Sequence, residues 1–218
     1  MAAPSSRIMQ TFRSLLAVML LGAGACAQEA PPAGAVLFHN ACAQCHGVKG
    51  EGSPVLQAPD IAGLPAWYGR AQMENFRAGR RGAHAQDIPG QMMRAISLVL
   101  DAQKTVDAAA FVAALPRVDP PPTLHADPAP AVRLYAERCA ECHRFNGAGE
   151  LVFGAAPLAG LPDWYLAAQL RKFKNGQRGA ASSDANGQKM VLAASYIEDE
   201  AMIQSLAVYL RSLGSIKK

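Results

Sequence analysis

The chain has 218 residues, enough for two domains of about 100 residues but not for a large multidomain enzyme. Half of the residues are hydrophobic and 17% are charged, which excludes a disordered chain. The net charge of +4 comes from scattered Lys and Arg without the runs that follow a nucleic-acid backbone, and no glycine-rich phosphate loop is present, so nucleic-acid and nucleotide chemistry are excluded.

In chain order, Arg7 and Arg13 precede an apolar run from Leu15 to Ala25 that ends in Ala25-Cys26-Ala27, a small-x-small cleavage site. Residues 1–27 read as a signal peptide cleaved before Gln28, and the run is too short to span a bilayer comfortably. A lipidated Cys26 is the alternative, which would allow peripheral membrane association. It lacks the Leu that usually stands three residues before such a Cys.

From Gln28 onward the sequence is written twice at an offset of 97 residues. Cys42, Cys45 and His46 map onto Cys139, Cys142 and His143. Trp67-Tyr68 maps onto Trp164-Tyr165, and Gln72 and Phe76 map onto Gln169 and Phe173. Arg81-Gly82 maps onto Arg178-Gly179, and Met93 maps onto Met190. This register predicts two copies of one fold, residues 28–115 and 131–218, joined by the Pro-rich segment 116–130, which reads as extended and semi-rigid.

Within each copy, Pro65 and Pro162 suit a helix start, and Gly79 and Gly176 suit its end. Leu166, Leu170 and Phe173 recur at helical spacing. Met93 and Met190 fall in polar, glycine-containing segments that read as loops. A closing helix is expected over Ile203, Leu206, Leu210 and Leu213, with its counterpart at about Gln103 to Leu115. No segment alternates convincingly, so the expected fold is all-α. Units of this size have thin cores that a large covalently bound apolar cofactor would help to fill.

Cys42-Ala-Gln-Cys45-His46 and Cys139-Ala-Glu-Cys142-His143 match the c-type haem attachment pattern. Cysteines three residues apart lie on one side of a helical turn and can form thioethers to the two vinyl groups of one porphyrin. The adjacent His then lies under the ring and can bind the iron. The repeat selects Met93 and Met190, each 47 residues beyond its His, as the second axial ligands. Met92 neighbours the first but aligns with Lys189. A His/Met pair fills both axial positions and raises the potential, which predicts reversible one-electron transfer by two haems. Three rival readings remain: a zinc site shared by the four motif cysteines, a thiol–disulfide oxidoreductase, and two structural disulfides. His39, His84 and His125 lack repeat partners and read as surface residues.

At these motifs the chain resembles class I cytochromes c, and more closely the di-haem cytochrome c4 family. Shared features are Pro59 to Gly63, Tyr165 with Gln169-Leu170, and Gly79 to Gly82 with Gly176 to Gly179. The resemblance implies two tandem class I domains and electron carriage in a bacterial periplasm. It implies a respiratory complex, terminal oxidase or dehydrogenase as partner. A dedicated subunit of an oxidoreductase complex and a peroxidase-type enzyme with one open iron are the alternatives. Two departures stand out: Arg144 replaces the Gly seen at Gly47, and the second proline element is shortened to Pro157-Leu158-Ala159-Gly160. In class I cytochromes a backbone carbonyl in that stretch orients the proximal His. Arg81 and Arg178 read equally well as neutralising haem propionates or as exposed surface residues, and the Trp-Tyr pairs read as core. Residues 131–218 carry eleven basic and eight acidic side chains, which reads first as a solvated basic surface and alternatively as a face for an acidic partner, docked through Lys172 and Lys174.

Overall fold

The computed structural model describes residues 32–214, so the expected leader and Cys26 lie outside it. The first half opens with α1 (Ala33–Leu37). It continues through a π-helical turn at Phe38–Cys42 into α2 (Ala43–His46), and the Cys-x-x-Cys-His motif therefore ends a helical segment. Then follow α3 (Ala66–Arg77), α4 (Ile88–Val99) and α5 (Ala102–Ala114). The second half repeats the plan with α6 (Ala129–Arg138), α7 (Ala140–His143), α8 (Asp163–Lys174), α9 (Ala185–Ser195) and α10 (Glu200–Leu213). Among the described residues there is no strand. Two isolated bridges, Ser53 to Ala58 and Glu150 to Ala155, close equivalent loops. The fold is all-α, as the sequence predicts.

In each half the first and last helices pack together, α1 on α5 and α6 on α10, and the middle helix packs on the last, α3 on α5 and α8 on α10. Phe38 and Tyr135, at equivalent positions, are fully buried. Phe38 meets Phe111 with ring centroids 5.2 Å apart, and Tyr135 meets Tyr209 edge-on at 5.5 Å.

One expectation is corrected. Met93 and Met190 stand on helices, α4 and α9, and not in loops. The start signals are the acidic caps: the Asp87 carboxylate accepts from the Gly90 amide at 3.0 Å, and Asp184 from Gly187 at 2.8 Å. The glycines that suggested loops make room for these caps, since a Cβ on Gly90 would lie 2.1 Å from Asp87 Oδ2.

The connecting segment is tied to both halves. Arg117 donates to Ala62 O at 3.3 Å and to Ala159 O at 3.2 Å, two carbonyls that are repeat equivalents. The buried Asp163 carboxylate accepts from the Thr123 amide (2.9 Å), the Thr123 hydroxyl (2.6 Å) and the Leu124 amide (3.0 Å). Arg211 donates to Pro120 O. Helix α6 begins at Ala129, inside the segment read as linker.

Arg144 adopts φ 65° where its counterpart Gly47 has φ 80°. With ψ near 154° this is backbone that glycine adopts freely and other residues at a cost of ~1–3 kcal/mol. The Tyr135 hydroxyl donates to Arg144 O at 2.6 Å and fixes that peptide. Phe38, the twin of Tyr135, has no hydroxyl, and its half has the glycine instead.

Candidate functional site

Each motif His is anchored in the same way. His46 Nδ1 donates to Pro59 O at 2.8 Å, and His143 Nδ1 donates to Ala156 O at 2.8 Å. A carbonyl can only accept, so both imidazoles carry their proton on Nδ1 and keep the Nε2 lone pair free for a metal. Both rings are buried, and burial holds both below the ordinary His value, which keeps them neutral. The shortened proline element of the second half leaves this bond intact: the acceptor is Ala156, 13 residues beyond the His as in the first half.

In the second half, His143 Nε2 faces Met190 Sδ at 3.5 Å. In the first half, His46, Met93 and Cys42 line a cavity of about 680 Å³ with mostly apolar walls, a volume typical of cofactor sites. Met93 faces this cavity, whereas Met92 is 56% exposed. Helix α8 of the second half closes one side through Trp164, Tyr165, Gln169 and Lys172.

Cys42, Cys45, Cys139 and Cys142 are all unpaired thiols of intermediate exposure. Burial raises Cys42 above the ordinary thiol value and pushes Cys139 up to about 11. A thiol–disulfide oxidoreductase needs a depressed thiol, so that rival finds no support. Among the described residues no three His, Cys, Asp or Glu side chains converge on a metal position, which leaves the shared zinc site without support. Free cysteines beside an imidazole and a thioether fit a covalently attached porphyrin.

Between the halves lies a pseudo-symmetric polar cluster. Arg81 donates to Gln72 Oε1 (2.7 Å) in its own half and to the Tyr165 hydroxyl (2.8 Å) and Gln169 Oε1 (3.2 Å) in the other. Arg178 mirrors it, donating to Gln169 Oε1 at 2.8 Å and Gln72 Oε1 at 3.0 Å. Each guanidinium also stacks on a phenylalanine, Arg81 on Phe76 and Arg178 on Phe173. Neither arginine pairs with a carboxylate among the described residues. The reading of these two as exposed surface residues is thereby corrected, and Tyr165 carries a polar role beyond core packing.

A cytochrome c family profile matches residues 32–116 and again 129–214. The chain belongs to the cytochrome c family. This cytochrome is 30% identical, over 80% of its length and 79% of the relative's, to a thiosulfate dehydrogenase electron acceptor of Stutzerimonas stutzeri. Among solved structures it resembles thiosulfate dehydrogenase TsdBA from Marichromatium purpuratum, with a TM-score of 0.66 and 29% identity. That match covers 82% of the cytochrome but only 39% of the other chain. It also resembles reduced recombinant cytochrome c4 from Pseudomonas stutzeri, with a TM-score of 0.62, 26% identity and coverage of 82% and 96%. The cytochrome therefore has two tandem cytochrome c domains of the kind that bind haem c covalently and transfer electrons between redox partners. None of its described helices is long and apolar enough to cross a membrane.

His39, His84 and His125 are exposed, in keeping with the sequence reading. Of the two lysines expected to dock a partner, Lys172 is half-buried against the other domain, and Lys174 is exposed. Lys172 Nζ lies 2.5 Å from Asp87 Oδ1 in the other domain, and Lys174 Nζ is bonded to the backbone oxygens of Ile197 and Glu198. Sequence alone missed the Lys172–Asp87 contact because Lys172 has an unlike repeat partner, Asn75, so the register does not mark it.

Proposed function

We propose that this cytochrome carries single electrons through two covalently bound haems, one per domain. Cys42 and Cys45 tether the first and Cys139 and Cys142 the second; His46 with Met93, and His143 with Met190, are the axial ligands. When bound, each haem supplies an iron that cycles between ferric and ferrous as one electron arrives from a donor and leaves to an acceptor. The protein holds each imidazole by its backbone carbonyl, presents a soft thioether opposite it, and leaves no open position for oxygen or peroxide. The observation that carries this reading is the 3.5 Å approach of His143 Nε2 and Met190 Sδ, with the far nitrogen anchored at Ala156 O. Arg81 and Arg178, which have no carboxylate partner among the described residues, would neutralise the haem carboxylates.

The reading extends to location and partner. Residues 1–27 direct export and are removed, and the domains 28–115 and 131–218 work in the periplasm. The donor is a dehydrogenase: the 30% identical relative is an electron acceptor for thiosulfate dehydrogenase. The match to part of the longer TsdBA chain supports a second reading, a cytochrome committed to one oxidoreductase complex.

The test is haem stoichiometry with a redox titration of wild type, Met93→Ala and Met190→Ala. Two haems per chain are expected, and each substitution lowers the potential of its own haem and alters its ligand-field spectrum. A single haem, or an unchanged spectrum in either variant, overturns the assignment.

A further inference from the structure

The two domains are closely matched in sequence register, yet one charge contact between them is not repeated. Asp87 and Asp184 do the same local work, capping the helices that carry Met93 and Met190. Asp87 also receives a cation: Lys172 on α8 of the second domain reaches it at 2.5 Å, with Asp87 1% exposed and Lys172 16% exposed. Asp184 has no such partner among the described residues. The residue that could supply one by symmetry, Asn75, is uncharged, and its side-chain oxygen accepts from Arg80 at 2.8 Å.

The consequence concerns the first domain's cavity. Lys172 lines the same cavity as His46 and Met93, although it belongs to the other domain. A cation beside an iron site disfavours the ferric state, which carries one more positive charge, and an unneutralised carboxylate favours it. In a water-poor site these charges are weakly screened, so their balance is felt by the iron.

Resting on the axial assignment above, we propose that Lys172 is a positioning residue for electron transfer. It neutralises the Asp87 cap across the domain interface and thereby makes the two otherwise duplicate redox sites unequal. The second domain, whose Asp184 cap meets no lysine, lacks this correction. The pair also ties α8 to the start of α4, so it adds to the Arg81 and Arg178 contacts that join the domains.

A double-mutant cycle tests this with a haem-resolved redox titration. Lys172→Gln leaves Asp87 uncompensated, and the potential of the first-domain haem falls by more than that of the second. Asp87→Asn keeps an oxygen for the cap and leaves Lys172 uncompensated, so the same potential rises. The double variant returns close to wild type, a pattern that a loss of packing alone would not produce. Far-ultraviolet circular dichroism, with both haem spectra retained, verifies the fold. If neither single variant moves the first potential, or if both potentials move equally, the proposal is overturned. A preparation with fewer than two haems, or one in which Met93→Ala leaves the spectrum unchanged, defeats the axial assignment instead and is recognised separately.

Discussion

Asp60 tests the electrostatics of the first domain most directly. Its repeat position in the second domain is Pro157, so no symmetry explains it. The residue is fully buried; Oδ1 accepts from the Ala62 amide at 2.8 Å, and Oδ2 has no partner. Burial pushes the carboxyl up from 3.8 to about 6, against the opposing charge of Arg117 and with a smaller upward push from Glu51. The folded protein therefore holds this proton more tightly than the unfolded chain. Below pH 3.8 both states are protonated and there is no cost; the cost builds through the window up to about 6 and is complete above it. At 1.36 kcal/mol per unit the shift sets a ceiling of about 3 kcal/mol. Relaxation of the surrounding polar groups offsets part of it, so ~1–2 kcal/mol is the expected penalty. Asp60→Asn removes the charge and keeps the acceptor for Ala62. In urea unfolding of the haem-loaded protein, the variant should match wild type at pH 4 and exceed it by ~1–2 kcal/mol at pH 7.5. A difference independent of pH, or a variant less stable at pH 7.5, would refute the reasoning.

Asp163 should behave in the opposite sense. Burial alone would raise it, but its hydrogen bonds from Thr123, Leu124 and Trp164 outweigh that and hold it below the usual carboxylate range. Its contribution is thus present above the ordinary Asp value and is lost as pH falls through the depressed one. Asp163→Ala should cost ~2–4 kcal/mol at pH 7, and the gap in melting temperature from wild type should narrow towards pH 3. Tyr135→Phe removes the bond to Arg144 O and leaves that carbonyl without its partner, for a loss of ~1–2 kcal/mol in chemical denaturation with the haem spectra unchanged.

Most of the architecture was legible because it is duplicated. The 97-residue register singled out Met93 over Met92, and the structure turns Met93 into the cavity and Met92 to solvent. What was not legible falls into two kinds. The helices that carry the methionines were masked by glycines, which read as loop formers but here leave space for an Asp cap. The contacts between domains were invisible because a repeat reports only what the copies share. Lys172, Asp60 and Asp163 have unlike twins, and their roles depend on which surfaces meet. The basic excess of the second half suggested a docking face, yet Lys172 is spent on the buried Asp87 of the other domain.

The fork of Arg117 grips the same carbonyl in both copies, Ala62 on one side and Ala159 on the other. One side chain, outside either repeat, thus acts as a clasp across an axis of near-twofold symmetry. Divergence in either copy can reshape its own pocket, while this clasp works alongside the Arg81, Arg178 and Lys172 contacts that join the two copies. A change there would loosen the same carbonyl in both copies at once, so the two haem-attachment loops are coupled through a residue that belongs to neither repeat.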